Sequence, residues 1–281
     1  MNYLNLGCGT HYSTQKEWTN LDFISTGEGV IAHNLLKGIP CETNSFDLVY
    51  HSHVLEHFSK EDGDKFITEC FRVLKPGGIL RIAIPDLERI ARKYLLYLEK
   101  GLQNPDDAIV RANYEWMLLE MYDQTVRNTS GGNMGKYLFQ DTLINEDFVF
   151  QRIGEEGKAI RKAYLTHKEN KKSPDNSLEH NSYKESLIAK QKRKIKEYLL
   201  RKLHIDERVY QIGQFRLGGE IHQWMYDRYS ITNLLKSKNG GNIQIKDAFT
   251  SNINNWATYN IDGKDNVVRK PDSLFVETIK K

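Results

Sequence analysis

The feature that most constrains the fold is a short apolar run that ends in a glycine turn near the start of the chain. Residues 3–6 read Tyr-Leu-Asn-Leu and lead into Gly7-Cys8-Gly9. Similar apolar runs recur at residues 18–23, 30–32, 46–50 and 79–84. Between the last two runs, apolar residues are spaced as on one face of a helix. Short strands alternating with helices predict an α/β fold with a mostly parallel sheet that is covered on both faces.

The middle of the chain breaks this alternation. Residues 86–100 and 107–127 have the spacing of amphipathic helices, and a glycine-rich loop is expected at residues 131–135. The pattern also predicts a polar linker at residues 168–181, a basic amphipathic helix at residues 183–203, a further helix at 228–237 and strands at 243–246 and 273–279. The simplest architecture is an α/β core made of residues 1–85 and 214–281, interrupted after the fifth strand by a helical lid at residues 86–213.

Composition excludes several classes of protein. The 281 residues are 39% hydrophobic and 27% charged, which is too apolar for a disordered chain. The net charge of +3 is too small to argue for nucleic-acid binding by itself. The three cysteines include no CxxC pair, so free thiols in a reducing compartment are expected. Because the sequence shows neither a leader nor an apolar run that approaches a membrane span, we expect a cytoplasmic protein.

An acidic residue on the next predicted strand indicates what the glycine turn could bind. Glycines let the backbone approach a ligand closely, and Asp22, 13 residues after Gly9, can accept hydrogen bonds from both hydroxyls of a ribose. A pyrophosphate-binding fingerprint would need a third glycine where Tyr12 stands. A ligand with a ribose but no phosphate fits better, and S-adenosylmethionine is the obvious one. The alternative is a plain tight turn, with Asp22 capping a helix.

Four segments together resemble a known family. The runs NLGCGTH, NLDF, FDLVYHSHVLEHF and ECFRVLKPGGILRIAIPD are similar to the Rossmann-like S-adenosylmethionine-dependent methyltransferases, in particular to the group with LEH after the fourth strand and LKPGG before the fifth. The segment from residue 221 resembles the last helix and final strand pair of that fold. The resemblance extends to predicted methyltransferases of surface-polysaccharide gene sets. It implies a mostly parallel sheet with an antiparallel last strand, and S-adenosylmethionine as cofactor.

The resemblance also assigns cofactor-binding residues. The glycine turn would line the methionine part, Asp22 would hold the ribose, and the end of the fourth strand would open onto the methionyl carboxylate and sulfonium. Many members have an acid that binds the adenine amino group, where this chain has Asn34, an uncharged acceptor. The full set that the resemblance implies is Gly7, Cys8 (through its backbone), Gly9, Asp22, Asn34, Leu35, His51 and Ser52.

The segment HSHVLEH leaves three interpretations open. In the first, its residues only form the start of the helix after the fourth strand. In the second, His53 and His222 face the methyl group from opposite walls, and one of them acts as a general base towards an alcohol. In the third, His53, Glu56 and His57 bind a metal with His222 as a fourth ligand, provided that a helix begins at His53. The first interpretation is the plainest, the second supplies the candidate catalytic residues His53 and His222, and no metal is expected.

The substrate is expected between the lid and the carboxyl ends of the strands. The sequence shows no helices before the first strand that would cover the site, so the insertion would have to cover it. Aromatic faces that stack on a sugar ring, beside polar groups that bond its hydroxyls, occur at residues 114–127 and 224–228. The predicted substrate-binding residues are Tyr122, Asp123, Gln124, Arg127, Trp224 and Tyr226, with Trp116 as a further stacking candidate. An ordinary amphipathic helix is the competing interpretation.

The function expected from the sequence is S-adenosylmethionine-dependent O-methylation of a sugar or glycan hydroxyl. RNA methylation is an alternative that the basic helix favours slightly. However, residues 190–202 lack interleaved aromatic residues, so a solvated face or a subunit contact is the default, and nucleic acid is not the expected partner. The alternative outside enzymes is a cofactor-binding protein that has lost catalysis and acts as a scaffold. The oligomeric state stays open.

Overall fold

A seven-stranded sheet forms the centre of the molecule in the computed structural model, which describes residues 1–172 and 187–281. Its strands are β1 Tyr3–Leu6, β2 Trp18–Asp22, β3 Val30–Ala32, β4 Phe46–Ser52, β5 Leu74–Pro85, β6 Gly240–Lys246 and β9 Ser273–Lys280. Two further strands, β7 Gly263–Lys264 and β8 Val267–Val268, form a small separate hairpin. The run of strands that the sequence predicts is therefore confirmed. The fifth strand begins at Leu74, earlier than residue 79, because its first residue already pairs with Phe46.

The order of strands across the sheet is β3-β2-β1-β4-β5-β9-β6. Strands β1 to β5 pair in parallel, whereas β9 pairs antiparallel with both β5 and β6. The predicted Rossmann-like sheet, mostly parallel with an antiparallel last strand, is confirmed. The chain order reverses between β1 and β4, and such a switch point opens a crevice at the carboxyl ends of the strands.

Eight helices surround this sheet in the described residues. They are α1 Lys60–Val73, α2 Leu87–Gln103, α3 Ala108–Val126, α4 Gly132–Leu138, α5 Glu146–Lys172, α6 Leu187–Lys202, α7 Glu207–Leu217 and α8 Arg228–Ser237. Helices α2 to α7 all fall between β5 and β6, after the fifth strand as expected from the sequence. No helix of the described chain is both long and apolar enough to span a membrane.

Three local predictions are wrong. The expected loop at residues 131–135 is the first part of α4, whose N-terminal N–H groups at Asn133 and Met134 donate to the carboxylate of Asp123 at 2.7 and 3.2 Å. Residues 168–172 of the predicted linker continue α5, and its remaining residues lie outside the described ranges. No helix follows β1 or β2, because residues 7–17 and 23–29 form turns. The expected alternation of strands and helices therefore begins only after β4.

Opposite faces of the sheet are covered by different elements. Helices α1 and α8 pack on one face through apolar residues such as Phe66, Ile67 and Ile231. The other face carries an aromatic cluster in which Trp256, from a short 3₁₀ helix at Trp256–Tyr259, lies near Trp18 and Tyr50. Large buried aromatic rings supply much of the apolar contact area in a core of this kind.

A buried arginine ties the second face together. Arg81 on β5 is fully buried, with its guanidinium 2.8 Å from Asp262 and 2.7 Å from Glu277. It also stacks over the Trp256 ring at 4.5 Å, and Tyr50 donates to Asp262 at 2.5 Å. Two carboxylates therefore share one cation between the sheet and the segment that covers it.

The helices of the insertion have a core of their own. Trp116 and Met117 on α3 are fully buried and pack with Tyr137 and Val149. The Trp116 indole donates to Glu120 at 2.6 Å, and Arg152 on α5 pairs with the same carboxylate at 2.7 Å. Trp116 is thus a core residue, and the suggestion that it stacks on a sugar is wrong.

Candidate functional site

The glycine turn after β1 is a rigid, close-packed element. Gly7 and Gly9 have φ angles of 63° and 54°, in the region that side chains disfavour. A Cβ atom on Gly7 would also lie 2.3 Å from Cγ2 of Val54. The backbone N–H of Gly9 donates to Asp22 Oδ2 at 2.7 Å. The turn and the carboxylate at the end of β2 therefore form one unit at the carboxyl edge of the sheet.

Cys8 can contribute to this unit only through its backbone. Its N–H donates to Leu21 O at 3.1 Å, and its side chain is buried. Burial, with a smaller contribution from the charge of Asp22, raises the pKa of the Cys8 thiol to about 11. The thiol is therefore neutral near pH 7 and adds no charge beside the turn.

The other predicted cofactor residues differ in what they expose. Asn34 caps the 3₁₀ helix Leu35–Lys37 by accepting from Leu36 N at 2.9 Å, and one lone pair of its amide oxygen stays available. Leu35 is half-buried. Ser52 at the end of β4 accepts from Arg269 at 3.3 Å. The ring of His51 is fully enclosed against Phe66, 5.1 Å between centroids, which leaves only its backbone to face a ligand.

The enclosed His51 ring should make the free energy of unfolding depend on pH. Burial lowers its pKa to about 3, and neither ring nitrogen has a hydrogen-bond partner among the described residues. A pKa depressed on folding contributes stability above the unfolded value of about 6.5, and this contribution is lost as the pH falls towards 3. Between pH 7.5 and pH 5, the wild type should lose about 2 kcal/mol through this group.

Urea unfolding at both pH values measures this loss. His51→Leu removes the titrating ring, so its stability should fall by about 2 kcal/mol less than that of the wild type over the same interval. Phe66→Leu perturbs the same packing without removing a titrating group and should keep the wild-type pH dependence. Parallel pH profiles for wild type and His51→Leu would contradict the prediction.

A cavity of about 670 Å³ opens next to the carboxyl end of β4. Its walls come from the loop after β4, from α3 to α5, from the segment before α8 and from the loop before β9. Lining side chains include His53, Glu56, His57, Gln124, Arg127, Glu220, His222 and Lys270. The cavity is therefore closed partly by the sheet and partly by the inserted helices.

Glu56 is the centre of the polar cluster in this cavity. It is fully buried on the 3₁₀ helix Leu55–His57, and neither carboxylate oxygen has a hydrogen-bond partner in the described residues. His53 Nδ1 lies 3.2 Å from Glu56 Oε1, and the Nε2 atoms of His57 and His222 each lie 4.0 Å from the same oxygen. Three imidazoles thus surround one carboxylate.

Backbone contacts hold the two halves of this cluster together. The Glu56 carbonyl accepts from Gln223 N at 2.7 Å and from Trp224 N at 3.2 Å. His57 Nδ1 lies 3.1 Å from the carbonyl of Ile221. The N–H of His222 donates to Gln124 O on α3 at 2.9 Å, so the cluster is positioned by the inserted helices as well as by the core.

Burial dominates the electrostatics of the cluster. It raises the pKa of Glu56 to about 8. It also holds the pKa of His53 and of His222 well below the usual range for histidine, helped by the charge of Lys270 on His53 and by His57 on His222. Burial lowers the pKa of His57 too. The imidazoles are therefore neutral near pH 7 and able to accept a proton or bind a cation.

The structure divides the predicted substrate residues into separate places. Gln124 and Arg127 line the cavity. Asp123 is buried and accepts the N–H groups at the start of α4, and Tyr122 is 56% exposed and is not among the cavity-lining residues. Trp224 and Tyr226 line a second cavity of about 720 Å³ against α1 and α8. An expected sugar platform across these six residues is therefore split.

The acidic partners of two cavity cations, and Ser273 beside His53, were not predicted from the sequence. Lys270 pairs with Glu156 of α5 at 2.9 Å, and Arg127 pairs with Glu220 at 3.4 Å. Ser273 at the start of β9 lies 2.8 Å from His53 Nε2. In the sequence, Arg127 and Lys270 are recognisable only as two separate cations. Their acidic partners are distant in the chain and give no local signal.

His53 also differs from the helical geometry that the metal interpretation required. Its φ angle is 53°, and the 3₁₀ helix begins at Leu55, after an N-cap at Val54. The prediction that a helix begins at His53 is therefore wrong. Instead, the ligand atoms of Glu56, His57 and His222 all lie within 4.8 Å of one another. This trio combines two residues from the 3₁₀ helix after β4 with one from the segment before α8.

Comparison with known proteins relates the first part of the chain to a family. Residues 14–82 match a family model described as a methyltransferase domain. A probable S-adenosylmethionine-dependent methyltransferase from Mycolicibacterium smegmatis is 39% identical over 56 residues. That match covers 20% of this chain and 21% of the relative, so the chain spans about a fifth of the length of the curated relative that it matches.

Solved structures were matched as well. An S-adenosylmethionine-dependent methyltransferase from Thermotoga maritima, described as a possible histamine N-methyltransferase, is 10% identical with a TM-score of 0.40, and the match covers 100% of this chain and 82% of that one. An S-adenosylmethionine-dependent methyltransferase from Aquifex aeolicus is 18% identical with a TM-score of 0.26, covering 31% of this chain and 57% of that one.

Proposed function

We propose that this protein is a methyltransferase that moves the methyl group of S-adenosylmethionine to a hydroxyl held in the cavity beside β4. The observation that carries the proposal is the unit of Gly9 and Asp22 at the carboxyl edge of the sheet, next to a cavity that contains Glu56 and three histidines. The match of residues 14–82 to a methyltransferase domain supports it.

The cofactor would lie across the carboxyl ends of β1, β2 and β4. Asp22 Oδ2 already accepts from the Gly9 N–H and Oδ1 accepts from Ile24 N at 3.5 Å, which leaves one lone pair on each oxygen for the two ribose hydroxyls. The backbones of Gly7, Cys8 and Gly9 would face the methionine part, with His51 and Ser52 beside the sulfonium. Asn34 and Leu35 would lie at the adenine. The methyl group would then point towards the cavity.

Methyl transfer from a sulfonium is an in-line displacement. The hydroxyl oxygen forms a bond to the methyl carbon, the carbon–sulfur bond breaks, and sulfur keeps the electron pair as S-adenosylhomocysteine leaves. The hydroxyl proton must leave as the new bond forms. Alignment of donor and acceptor supplies much of the acceleration, and a positioned proton acceptor adds about 10²–10⁴-fold.

His53 and His222 are the proposed proton acceptors, and their surroundings differ. Both ring nitrogens of His53 have neighbours, Glu56 at 3.2 Å and Ser273 at 2.8 Å. His222 lines the cavity, its Nε2 lies 4.0 Å from Glu56 Oε1, and its Nδ1 is buried without a partner among the described residues. His222 is therefore the better placed of the two to act on an acceptor directly, whereas His53 is suited to orient Glu56.

A sugar or glycan hydroxyl is the proposed acceptor. The cavity has room for about one or two sugar rings, and pockets of about 300–1,000 Å³ are usual for small ligands. Its polar groups, among them Gln124, Arg127 and Lys270, are of the kinds that bond hydroxyls or an attached phosphate. The inserted helices would form the lid over this acceptor.

The test is methyl transfer from labelled S-adenosylmethionine to sugar nucleotides, oligosaccharides and RNA, with S-adenosylhomocysteine as the measured product. We expect turnover with a hydroxylated sugar, and a decrease of about 10²-fold or more in His222→Ala. His204→Asn, which replaces an exposed histidine, is the control and should stay within twofold of wild type. A donor that binds without acceptor-dependent turnover would favour the non-catalytic alternative, and turnover with RNA alone would overturn the sugar assignment.

A further inference from the structure

We infer that Glu56, His57 and His222 form a binding site for a divalent transition-metal ion, with Zn²⁺ as the best fit. Their ligand atoms lie within 4.8 Å of one another, and all three side chains line the cavity proposed for the acceptor. The inference deepens the proposed function and rests on it only for what the ion does, since binding of the ion depends on these residues alone.

The hydrogen bond of His57 fixes which of its nitrogens is available. Its Nδ1 lies 3.1 Å from the carbonyl oxygen of Ile221, which can only accept, so Nδ1 carries the proton. In the neutral ring, Nε2 then has a free lone pair, 4.0 Å from Glu56 Oε1. A histidine that ligates a metal characteristically donates its other N–H to a backbone carbonyl or carboxylate in this way.

The spaces between these atoms are too wide for hydrogen bonds. Glu56 Oε1 lies 4.0 Å from Nε2 of His57 and 4.0 Å from Nε2 of His222, beyond the range of about 2.7–3.2 Å for a hydrogen bond. Two ligands of a tetrahedral ion, with bonds of about 2.0–2.1 Å, are roughly 3.3 Å apart. The ligand atoms are therefore slightly too far apart for a tetrahedral ion, and they would move closer together when an ion binds.

The polar atoms of the cluster are otherwise unpaired. Both oxygens of Glu56 and Nδ1 of His222 are buried without a hydrogen-bond partner among the described residues. Leaving such atoms unpaired is costly, and an ion would satisfy the carboxylate directly. The rings of His57 and His222 stand nearly perpendicular, at 82°, so both can turn a nitrogen towards one point without stacking on each other.

Neighbouring groups help to position the ligand trio. His53 Nδ1 lies 3.2 Å from Glu56 Oε1 and would orient the carboxylate from outside the ligand trio. Of the three cations that line the cavity in the described part of the chain, Lys270 pairs with Glu156 and Arg127 pairs with Glu220, whereas Lys136 donates to the side chain of Asn133. Two imidazoles and one carboxylate suit Zn²⁺, whereas Mg²⁺ and Ca²⁺ prefer all-oxygen sites.

The ion would hold the acceptor as well as activate it. Three protein ligands leave a fourth position open towards the cavity, which a hydroxyl of the acceptor can occupy. The charge of the ion lowers the pKa of a bound hydroxyl, so its proton leaves more readily as the carbon–oxygen bond forms. With the ion bound, His222 acts as a ligand and not as the proton acceptor proposed for the metal-free site, and the proton passes to solvent.

Metal binding is tested on the purified full-length protein without any methyl donor. After chelation and dialysis, titration with Zn²⁺ followed by elemental analysis should give one equivalent per chain with a dissociation constant in the micromolar range or tighter. His57→Ala, His222→Ala and Glu56→Gln should each weaken the affinity by at least about 100-fold, and His204→Asn should leave it unchanged. Unfolding curves of each variant establish that it folds.

A variant that gains an absorption band distinguishes a changed metal ligand from misfolding, which could only remove signal. In His57→Cys loaded with Co²⁺, a thiolate ligand should add an intense near-ultraviolet charge-transfer band that the wild type loaded with Co²⁺ lacks. Less than a tenth of an equivalent of Zn²⁺ in the wild type, or equal affinity in His222→Ala, would overturn the site. Undiminished methyl transfer in strong chelator would remove the ion from the reaction and leave the proposed function standing.

Discussion

Replacing Asp22 with alanine is expected to weaken the binding of S-adenosylmethionine by at least about 100-fold. The substitution removes the proposed acceptor for both ribose hydroxyls, and hydrogen bonds to a charged group contribute about 1.5–3 kcal/mol each. It also removes the partner of the Gly9 N–H, 2.7 Å away, so the glycine turn loses an anchor. Two such losses correspond to about 3 kcal/mol or more, which is at least a hundredfold in the dissociation constant. Isothermal titration measures it.

Two further variants make this result specific. Asp22→Asn keeps one oxygen for the Gly9 N–H but replaces the other with a donor, so its affinity should fall between those of wild type and Asp22→Ala. Glu28→Ala removes an exposed acid from the loop after β2 and should not change the affinity. Equal affinity in wild type and Asp22→Ala would contradict the assignment of the ribose to this carboxylate.

Replacing Arg81 with methionine is expected to cost about 3–5 kcal/mol of folding free energy. The side chain is fully buried between Asp262 and Glu277, so its removal leaves two carboxylates without their shared cation. The carbonyls of Thr250 and Asp247, at 3.1 and 2.8 Å, lose their donor as well. A loss of this size should lower the melting temperature by roughly 10 °C in a chain of this length.

An exposed arginine provides the matched control. Arg92 pairs with Glu88 at 2.9 Å on the surface of α2, with 72% of its side chain exposed. Because exposed ion pairs contribute about 0–1 kcal/mol, Arg92→Met should change stability little. Urea unfolding of the two variants gives the comparison. A loss below about 1 kcal/mol for Arg81→Met would show that the buried network does not hold the covering segment on the sheet.

The sheet could be predicted from sequence because its signals are local. Each buried strand is a short apolar run ended by glycine, proline or a polar residue, and the pairing of β1 with β2 and β4 follows from the rules for parallel sheets. The glycine turn with Asp22 was predictable for the same reason: the turn and the strand that ends in the acid are both visible in a window of about 20 residues.

Most of the differences arise from contacts that are distant in sequence. The start of α4 is rich in glycine and has the composition of a loop, and it becomes helical because Asp123 accepts its first N–H groups. Polar residues on α3 suggested a sugar site, but the carboxylate of Asp123 is buried and accepts from these N–H groups. An amphipathic pattern cannot distinguish a ligand-facing acid from one that is satisfied inside a core.

The histidine cluster shows the same limit. The spacing in HSHVLEH pointed to His53, Glu56 and His57 as neighbours on one helical turn, yet the positive φ angle of His53 removes it from that turn. His222 joins the cluster because the segment before α8 is hydrogen-bonded to the backbone of Glu56 and to the ring of His57, a contact across 164 residues. Only the fold brings these side chains together.

The central claim is that the methyl donor lies across the carboxyl ends of the strands with its sulfur facing the cavity of Glu56 and His222. A crystal structure with S-adenosylhomocysteine tests it most directly. The account predicts both ribose hydroxyls within hydrogen-bond distance of Asp22, the amino-acid part along the turn of Gly7 and Gly9, and the sulfur directed at the cavity. A nucleoside bound elsewhere, or a ribose without contact to Asp22, would contradict it.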